Sequence, residues 1–473
     1  MKKYQSFFIR IFFLLFFFIP HVQQADQRIA ELFERICLGQ DYNVLEDIQT
    51  IRTGKKEVLP EKDWTLMLYI SADNDLAPFA IRNIRQMAAV GSNQFFNIVV
   101  QLDICKSDGQ KVTRRYYIQE DCVYHLNAED PYSQAMDSGD PETLISFCDW
   151  AISNFPARQY GLILWNHGAG ILDPVRYRAL KAEELFMVNP NTERLEMDRS
   201  IGYLDRMLQR GICFDDTTGN YLTNQDLDFA LKTICLEMLG NRKIDFVGFD
   251  ACLMQMVEVG NLLKNYARVM IGSQEAGLGY GWNYVDVLEI FKDGSPELFE
   301  FMKHIVAMYK RAYEKITGDY TMSAIDLQAI DSLEKNIHEV SRILMVGLKN
   351  QKRGMVKNAV KAARSKLVCT HFDEPSYIDL HHFYGNLLAN LGYMQLEDDA
   401  QQEKFKRKLE ELLKQGRSII EEVVFANTSG QSLSNARGIS IYFPERKIHS
   451  SYSETFFSQQ TDWLMFLVQQ LIS

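Results

Sequence analysis

Short apolar runs alternate with helical stretches from Trp64 onward, and this alternation constrains the fold more than any other feature of the chain. The apolar runs are rich in β-branched and aromatic residues and lie at 64–70, 96–102, 161–165 and 244–249. Segments with helical periodicity separate them, at 81–90, 142–154 and 223–239. Because strand–helix–strand order places successive strands side by side and parallel, the sequence predicts an α/β fold. Its sheet is expected to be mostly parallel and covered by helices on both faces.

Two local signals refine this plan. The turn-rich segment 106–109 precedes the alternating, β-prone segment 112–118, which predicts a hairpin. Thr223 and Asp226 form a variant of the capping box, which fixes the start of the helix that follows.

The second half of the chain changes character. After a strand-like run at 322–325 it is mainly helical, with one late strand signal at 438–444. We therefore assign 62–327 to the main domain and 328–473 to a smaller, mainly helical C-terminal subdomain that completes the fold.

Lys2, Lys3 and Arg10 precede an apolar stretch at 11–19, which ends at Pro20, and this is the layout of a secretory signal. We assign 1–25 to a signal peptide and 26–61, which is polar, helical in pattern and without a strand signal, to a leader or pro-segment. The protein is thus expected to be exported to the periplasm, the cell surface or the medium. The apolar core is short for a membrane span, so a membrane location arises only if this segment is retained as an anchor.

The formal net charge is -11, and the chain has no run of basic residues interleaved with aromatic ones. Both observations argue against a nucleic-acid partner. Eight cysteines occur without a C-x-x-C pair or zinc spacing, so a structural metal site is not expected. Export favours disulfides, whereas cysteines in apolar segments are usually buried thiols. Cys105 and Cys122 flank the predicted hairpin and are the pair that could bond.

Two of the apolar runs deliver chemically active side chains at their ends. The run at 161–165 leads to His167, and the run at 244–249 leads to Cys252, 85 residues later. Alone, each residue is most often structural: a buried thiol, or a histidine that satisfies a turn. In matched positions they would meet at one edge of the sheet, where a thiolate nucleophile and a histidine base could work together. The backbone N–H groups of Gly168 and Cys252 could then stabilise an oxyanion.

Asp250 lies two residues before Cys252 and has two interpretations. It could cap the following helix, a role for which Asp is well suited. It could instead form the acidic floor of a pocket for a basic substrate side chain.

Seven motifs occur in the same order as in a known family. They are Met67-Leu68-Tyr69 with Asp73-Asn74-Asp75-Leu76, Trp165-Asn166-His167-Gly168-Ala169-Gly170, Phe214-Asp215-Asp216 with Leu222-Thr223, Gly248-Phe249-Asp250-Ala251-Cys252-Leu253-Met254, Ser273-Gln274-Glu275, Ala324-Ile325-Asp326-Leu327 and Ser440-Ile441-Tyr442-Phe443-Pro444. In these motifs the chain resembles the clostripain family of cysteine peptidases. That family has the caspase-like fold, which caspases, legumains and gingipains share.

The resemblance implies an endopeptidase that cleaves after Arg or Lys through a Cys/His dyad. It places His167 and Cys252 at the catalytic positions and Asp250 at the basic specificity pocket. Ser273, Gln274, Glu275 and Tyr280 are the further substrate-binding candidates. Tyr280 stands between two glycines where the family commonly has Pro-Gly-x-Gly-Trp, which leaves the preference between Arg and Lys open.

The resemblance also implies a zymogen that cleaves itself between the catalytic His and Cys. This interval holds an insertion at 171–221 in which Lys181, Arg178 and Arg176 are the candidate self-cleavage residues. Its second half, 200–213, is amphipathic and predicts a helix that could cover the site until cut. Some family members depend on calcium, for which Asp215 and Asp216 are weak candidate ligands; no cofactor is required.

The sequence therefore predicts an exported cysteine endopeptidase that acts on proteins or peptides with Arg or Lys at the cleaved bond. A catalytically silent caspase-like binding or scaffold protein is the alternative. Another thiol enzyme, such as a transpeptidase or an amidase, is a third hypothesis.

Overall fold

The computed structural model describes residues 49–52, 60–105, 109–126, 135–173, 186–188, 195–197 and 211–472. The predicted signal peptide, most of the leader and the three candidate self-cleavage residues Arg176, Arg178 and Lys181 lie outside these ranges.

A ten-stranded sheet forms the centre of the protein. The strands of the described residues are β1 (Gln49–Arg52), β2 (Lys62–Ala72), β3 (Phe96–Cys105), β4 (Lys111–Gln119), β5 (Cys122–His125), β6 (Ala157–Trp165), β7 (Phe186–Val188), β8 (Leu195–Met197), β9 (Ile212–Asp215), β10 (Asn220–Leu222), β11 (Ile244–Asp250), β12 (Ala267–Gly272), β13 (Thr321–Asp326), β14 (Tyr377–Asp379), β15 (Val424–Ser429) and β16 (Ser440–Tyr442). The sheet order is β1-β5-β4-β3-β2-β6-β11-β12-β13-β15. The pairs β7/β8, β9/β10 and β14/β16 form small separate sheets.

The central strands confirm the predicted parallel sheet. Strand β2 pairs in parallel with β3 and β6, and β11 pairs in parallel with β6 and β12. Antiparallel pairs flank this centre, from β3 through β4 to β5 on one side and from β12 through β13 to β15 on the other. The sheet is therefore mixed, because the predicted hairpin and the C-terminal region both add antiparallel strands.

Helices flank the sheet. They are α1 (Ala77–Ala88), α2 (Pro141–Asn154), α3 (Asn224–Thr233), α4 (Val257–Leu263), α5 (Tyr284–Leu288), α6 (Leu298–Tyr313), α7 (Ile330–Leu348), α8 (Arg353–Arg364), α9 (Leu380–Ala389), α10 (Asp399–Val423), α11 (Phe456–Gln460) and α12 (Trp463–Ile472). The capping box at α3 is present as predicted: the Thr223 side chain accepts from the Asp226 N–H, and the Asp226 carboxylate accepts from the Thr223 N–H. None of the helices in the described ranges is long and apolar enough to cross a membrane.

The C-terminal region shares the core of the main domain rather than standing apart. Its strand β15 extends the central sheet beside β13. The Ser440 N–H, at the start of β16, donates to the carbonyl of Gln255, two residues before α4 begins. One continuous cluster of buried apolar side chains runs through both parts. This region therefore adds a strand to the central sheet and buried side chains to the common core.

Four local expectations are wrong. The leader does contain a strand, because β1 pairs in parallel with β5. Cys105 and Cys122 are not bonded to each other. In the sheet, Cys105 lies opposite Lys111 and Cys122 lies opposite Gln119, at the two ends of β4. Eight residues of strand at about 3.3 Å each therefore place the two cysteines more than 20 Å apart.

The other two concern local helices. The end of the segment 200–213 belongs to strand β9, and Cys213 has a φ of 59°, so the predicted helix does not reach it. Residues 200–210 of the predicted helix lie outside the described ranges. No helix starts directly after Cys252, because α4 begins at Val257. The chain from 251 to 256 is a turn and an extended segment.

Candidate active site

Adjacent parallel strands bring His167 and Cys252 to the same edge of the sheet. Trp165, the last residue of β6, pairs with Asp250, the last residue of β11. His167 and Cys252 each follow two residues later, and both line one narrow cavity of about 40 Å³. The predicted meeting of the two side chains is therefore what the strand register produces.

Gly168 makes close contact with the turn that carries Cys252. A Cβ atom at Gly168 would lie 2.3 Å from the carbonyl oxygen and 3.1 Å from the nitrogen of Cys252. Only glycine permits this approach without displacing backbone. The predicted oxyanion donors, the N–H groups of Gly168 and Cys252, thus belong to neighbouring backbone segments beside the thiol.

The Cys252 sulfur accepts a hydrogen bond that the sequence did not reveal. The N–H of Gly277 donates to Sγ over 3.2 Å. The Gly277 carbonyl in turn accepts from the thiol at 3.9 Å, so this residue contacts the sulfur through both its N–H and its C=O. The glycine-rich segment after β12 therefore supports the nucleophile as well as lining the cavity.

His167 has a carboxylate partner that was not predicted. Its Nε2 lies 2.9 Å from Oδ1 of Asp75, and the imidazole is only 3% exposed. A carboxylate accepts, so Nε2 carries the proton and Nδ1 is the nitrogen left for proton transfer with the thiol. The signal for Asp75 is present in the sequence, since it lies three residues beyond β2, the strand next to β6.

Asn166 and Asn74 fix the two loops that carry His167 and Asp75. The Asn166 amide donates to the Ser71 carbonyl and accepts from the Phe214 N–H at 3.0 Å. Asn74 donates to the Ser71 and Phe214 carbonyls, at 3.0 and 3.1 Å. Strand β9, which contains Phe214, thereby holds both loops in place.

Asp250 does not cap a helix, so the interpretation as a cap is wrong. Its carboxylate accepts from the Trp282 N–H at 3.1 Å and from the Tyr284 hydroxyl at 3.0 Å. A Cβ at Gly281, whose φ is 63°, would lie 2.7 Å from Oδ2, so glycine is required there. Burial raises the pKa of Asp250 to about 7, although these two donors act against the increase.

The remaining substrate-binding candidates separate into two groups. Ser273 lines the cavity. Gln274 is buried, donates to Asp379 and accepts from the Gly438 N–H, while Glu275 accepts from the N–H groups of Ala276 and Asp373. These two side chains hold the cavity wall against the C-terminal region rather than facing the cavity.

Tyr280 lies outside the cavity lining and against α1. The Arg82 guanidinium lies 3.5 Å from the centre of its ring, and Arg82 also donates to its hydroxyl. The contact with Arg82 therefore holds Tyr280 and its two neighbouring glycines against α1, on the side away from the cavity.

The candidate calcium ligands lie beside a lysine. Asp215 belongs to a buried group with Asp73 and Asp103, and the Lys111 ammonium contacts all three, at 3.1 Å from Asp103 and 3.5 Å from Asp73. Burial acts to raise the pKa of Asp215, but Lys111 outweighs it and holds that pKa below the ordinary value. A calcium ion would have to displace the ammonium, so these residues do not fit a calcium site. Asp216 is outside this group.

The chain is similar to known proteins in sequence and in fold. Clostripain from Hathewaya histolytica is 23% identical over 470 residues, covering 87% of this chain and 81% of its own. The fold matches that of a secreted C11 cysteine protease from Bacteroides thetaiotaomicron in complex with an irreversible peptide inhibitor, at a TM-score of 0.55 and 20% identity, over 86% of this chain and 98% of that one. It also matches an inactive zymogen C11 protease from Parabacteroides distasonis, at a TM-score of 0.52 and 18% identity, over 85% and 99%.

The model of the Clostripain family matches residues 68–182 and 198–469. These ranges contain both His167 and Cys252, together with Asp75 and Asp250. The match covers most of the chain, and the chain therefore belongs to the clostripain family of cysteine peptidases.

Proposed function

We propose that this peptidase is exported and cleaves protein chains after Arg or Lys. The observation that carries the proposal is the Asp250 carboxylate, which lines the same cavity as Cys252 and His167. A guanidinium or ammonium that enters the cavity would meet a buried carboxylate, and a charge-assisted hydrogen bond is strongest away from water. An uncharged side chain would leave Asp250 buried without a counter-charge, which disfavours it.

The chemistry follows from the side chains around the cavity. The Cys252 thiolate attacks the carbonyl carbon of the bond, and the oxyanion that forms accepts from the N–H groups of Gly168 and Cys252. His167 gives a proton to the leaving amine as the C–N bond breaks and a thioester forms. It then takes a proton from water, which attacks the thioester and releases the acid, so that the Cys252 thiolate and the imidazolium are restored. Asp75 holds the imidazole oriented through both steps.

Activation by self-cleavage is the second part of the proposal. The insertion at 171–221 holds Lys181, Arg178 and Arg176, whose bonds would suit the enzyme's own specificity. A zymogen among the relatives with this fold supports such a route. Export is supported by the signal-like N-terminus and by the relative described as secreted.

Intact mass and peptide turnover test both parts. The intact masses of purified wild-type protein and of the Cys252→Ala variant are measured. Each protein is then incubated with reporter peptides that have Arg, Lys or norleucine before the cleaved bond. We expect only the wild type to split within 171–221 and to cut the basic reporters. Cys105→Ala, which removes a partly exposed thiol elsewhere, is the matched control and should behave as wild type.

Either part can fail on its own. Equal turnover of the norleucine reporter contradicts the assignment of Asp250, while cleavage of Cys252→Ala when incubated alone contradicts self-processing. Whole, inert wild-type protein would favour the scaffold hypothesis.

A further inference from the structure

A wide basic groove lies in the C-terminal region, apart from the active-site cavity. Helix α8, the segment 443–446 and the end of α12 form its walls, and its volume is about 830 Å³. That size is within the usual range of binding clefts, roughly 300–1,000 Å³. We call this feature the basic groove.

The charge of the basic groove is opposite to that of the protein. Five basic side chains and one acidic side chain line it, namely Lys357, Lys361, Arg364, Lys366, Arg446 and Glu445. Five minus one leaves a surplus of four positive charges, whereas the whole chain has a net charge of -11. Such a local reversal concentrates anionic ligands at this surface.

Most of these cations are available to a ligand. Lys357, Lys361, Lys366 and Arg446 form no ion pair with any residue in the ranges that the structure describes. Lysines on the surface often pair with nearby acids, as Lys408 and Lys414 do with Glu411 and Glu410 on α10. Four unpaired cations in one groove instead leave an uncompensated field directed at solvent.

Arg364 has a different role, because it fixes the shape of the basic groove. It is buried, and its Nε donates to the Phe443 carbonyl at 2.7 Å while Nη2 donates to the Pro375 carbonyl at 3.1 Å. These bonds tie the end of α8 to both neighbouring segments. The groove is therefore preformed, which lowers the entropic cost of binding.

The arrangement suits a peptide. Lys357 and Lys361 are one helical turn apart, a rise of about 6 Å, and alternate side chains of an extended peptide are spaced by about 6.6 Å. Apolar residues line the groove beside the cations, namely Ala362, Phe443, Pro444 and Leu471. A mixed basic and apolar surface matches acidic and apolar side chains better than it matches a fully hydrated polysaccharide.

The basic groove is connected to the active site by a short path. Pro375 accepts from Arg364, and two residues later the Tyr377 hydroxyl donates to the Ala169 carbonyl at 2.6 Å. Ala169 lies two residues beyond His167. Hydrogen bonds of the buried Arg364 and Tyr377 side chains thus tie the wall of the groove to the loop that follows His167.

We propose that the basic groove docks an acidic peptide segment and serves as a second contact for protein substrates that carry such a segment away from the cleaved bond. The docking is independent of catalysis, whereas the role in substrate selection rests on the peptidase function proposed above.

Direct binding tests the docking. A fluorescein-labelled peptide of alternating Glu and Leu, without Lys or Arg, is titrated into the Cys252→Ala protein at low and at high salt and followed by anisotropy. We expect salt-sensitive binding that the double change Lys357→Glu with Lys361→Glu weakens by about tenfold or more, since charge reversal turns attraction into repulsion. The matched control reverses Lys303 and Lys335, which are exposed lysines on α6 and α7 outside the groove.

The outcomes separate the alternatives. Equal loss in both double variants would show that only net charge matters and would overturn the proposal. Heparin fragments that bind through the groove when the peptide does not would also overturn it.

Kinetics test the role in selection. A protein substrate with an acidic tail should lose about tenfold in kcat/KM through a higher KM in the groove variant, while the short Arg reporter keeps its kcat and KM. An unchanged KM for the tailed substrate contradicts the second contact even if the peptide binds. If no reporter is cut by the wild type, the peptidase proposal fails and the binding result still stands.

Discussion

Asp75 Oδ1 lies 2.9 Å from Nε2 of His167, so the site holds a carboxylate, an imidazole and a thiol rather than a dyad alone. The Asp75 side chain is 19% exposed and the His167 side chain 3% exposed, which places the hydrogen bond largely out of solvent. A bond of this kind selects one imidazole tautomer and favours the imidazolium that forms during the reaction. Asp75 is therefore a positioning residue for His167.

Changing Asp75→Asn should lower kcat sharply. The amide of the Asp75→Asn variant would have no negative charge to stabilise the His167 imidazolium. It could also present its N–H to Nε2 and so favour the wrong tautomer of the ring. We expect a loss of about 10²- to 10⁴-fold, with the alkaline limb of the kcat/KM profile moved to lower pH. Stopped-flow alkylation by iodoacetamide follows the thiolate instead, and its pH profile should move to higher pH because a less stable imidazolium stabilises the thiolate less. If kcat falls while both pH profiles stay in place, Asp75 is only structural.

Asp250→Asn should abolish the preference for basic side chains. The neutral amide removes the charge that a guanidinium or ammonium would meet, so we expect kcat/KM for Arg and Lys reporters to fall by about 10²-fold or more, with little change for norleucine. In the wild type, kcat/KM for the Arg and Lys reporters should rise as the pH increases through about 7. Burial raises the pKa of Asp250 to about 7, so the carboxylate gains its charge in this range. A wild-type profile with no limb near this pH for basic reporters contradicts the assignment.

The same carboxylate should make stability depend on pH. An unfolded Asp ionises near pH 4, whereas folded Asp250 stays protonated until pH about 7. The folded state therefore binds more protons in between, and its stability relative to the Asp250→Asn variant falls as pH rises from about 4 to about 7 and is level above that. Urea unfolding of Cys252→Ala with and without Asp250→Asn measures this difference without self-cleavage. A constant difference across this range would show that burial does not shift the pKa of Asp250.

The sequence predicted the central sheet and the His167 and Cys252 pair, because both follow from apolar runs and from what comes directly after them. The run at 64–70 is also followed by acidic residues, Asp73 and Asp75, but only the fold shows that Asp75 is the one that meets His167. Other features had no local signal. Strand β15 follows a 25-residue helix, and its pairing with β13 is decided by tertiary packing. The Lys111 ammonium contacts Asp73, Asp103 and Asp215 because the fold brings together segments that are far apart in the sequence.

Lys111→Met should destabilise the protein. The Lys111 side chain is 7% exposed and that of Asp215 is fully buried. Removing the ammonium leaves carboxylates without a counter-charge, which costs about 3–5 kcal/mol. Thermal unfolding measures the loss, and Lys292→Met, which breaks the exposed pair with Glu289, should cost less than about 1 kcal/mol.

Chelation completes the test of Lys111. Because the ammonium already supplies the positive charge among Asp73, Asp103 and Asp215, we expect EDTA to leave wild-type turnover of the Arg reporter unchanged. A chelator that abolishes turnover, with calcium restoring it, would show that the enzyme binds the ion elsewhere or displaces the lysine.

Gly168→Ala should reduce both turnover and stability. The added methyl would lie 2.3 Å from the Cys252 carbonyl oxygen, so the loop of His167 and the turn of Cys252 must separate. A shift of about 1 Å at reacting groups costs roughly 10²-fold in rate, while overpacking of this kind costs about 1–3 kcal/mol of stability. Gly294→Ala is the matched control, because no atom lies within 4 Å of its Cβ position. Reporter turnover and thermal unfolding of both variants measure the two effects. If Gly168→Ala keeps wild-type kcat, the backbone at Gly168 is not held against Cys252 during catalysis, and its N–H is not an oxyanion donor.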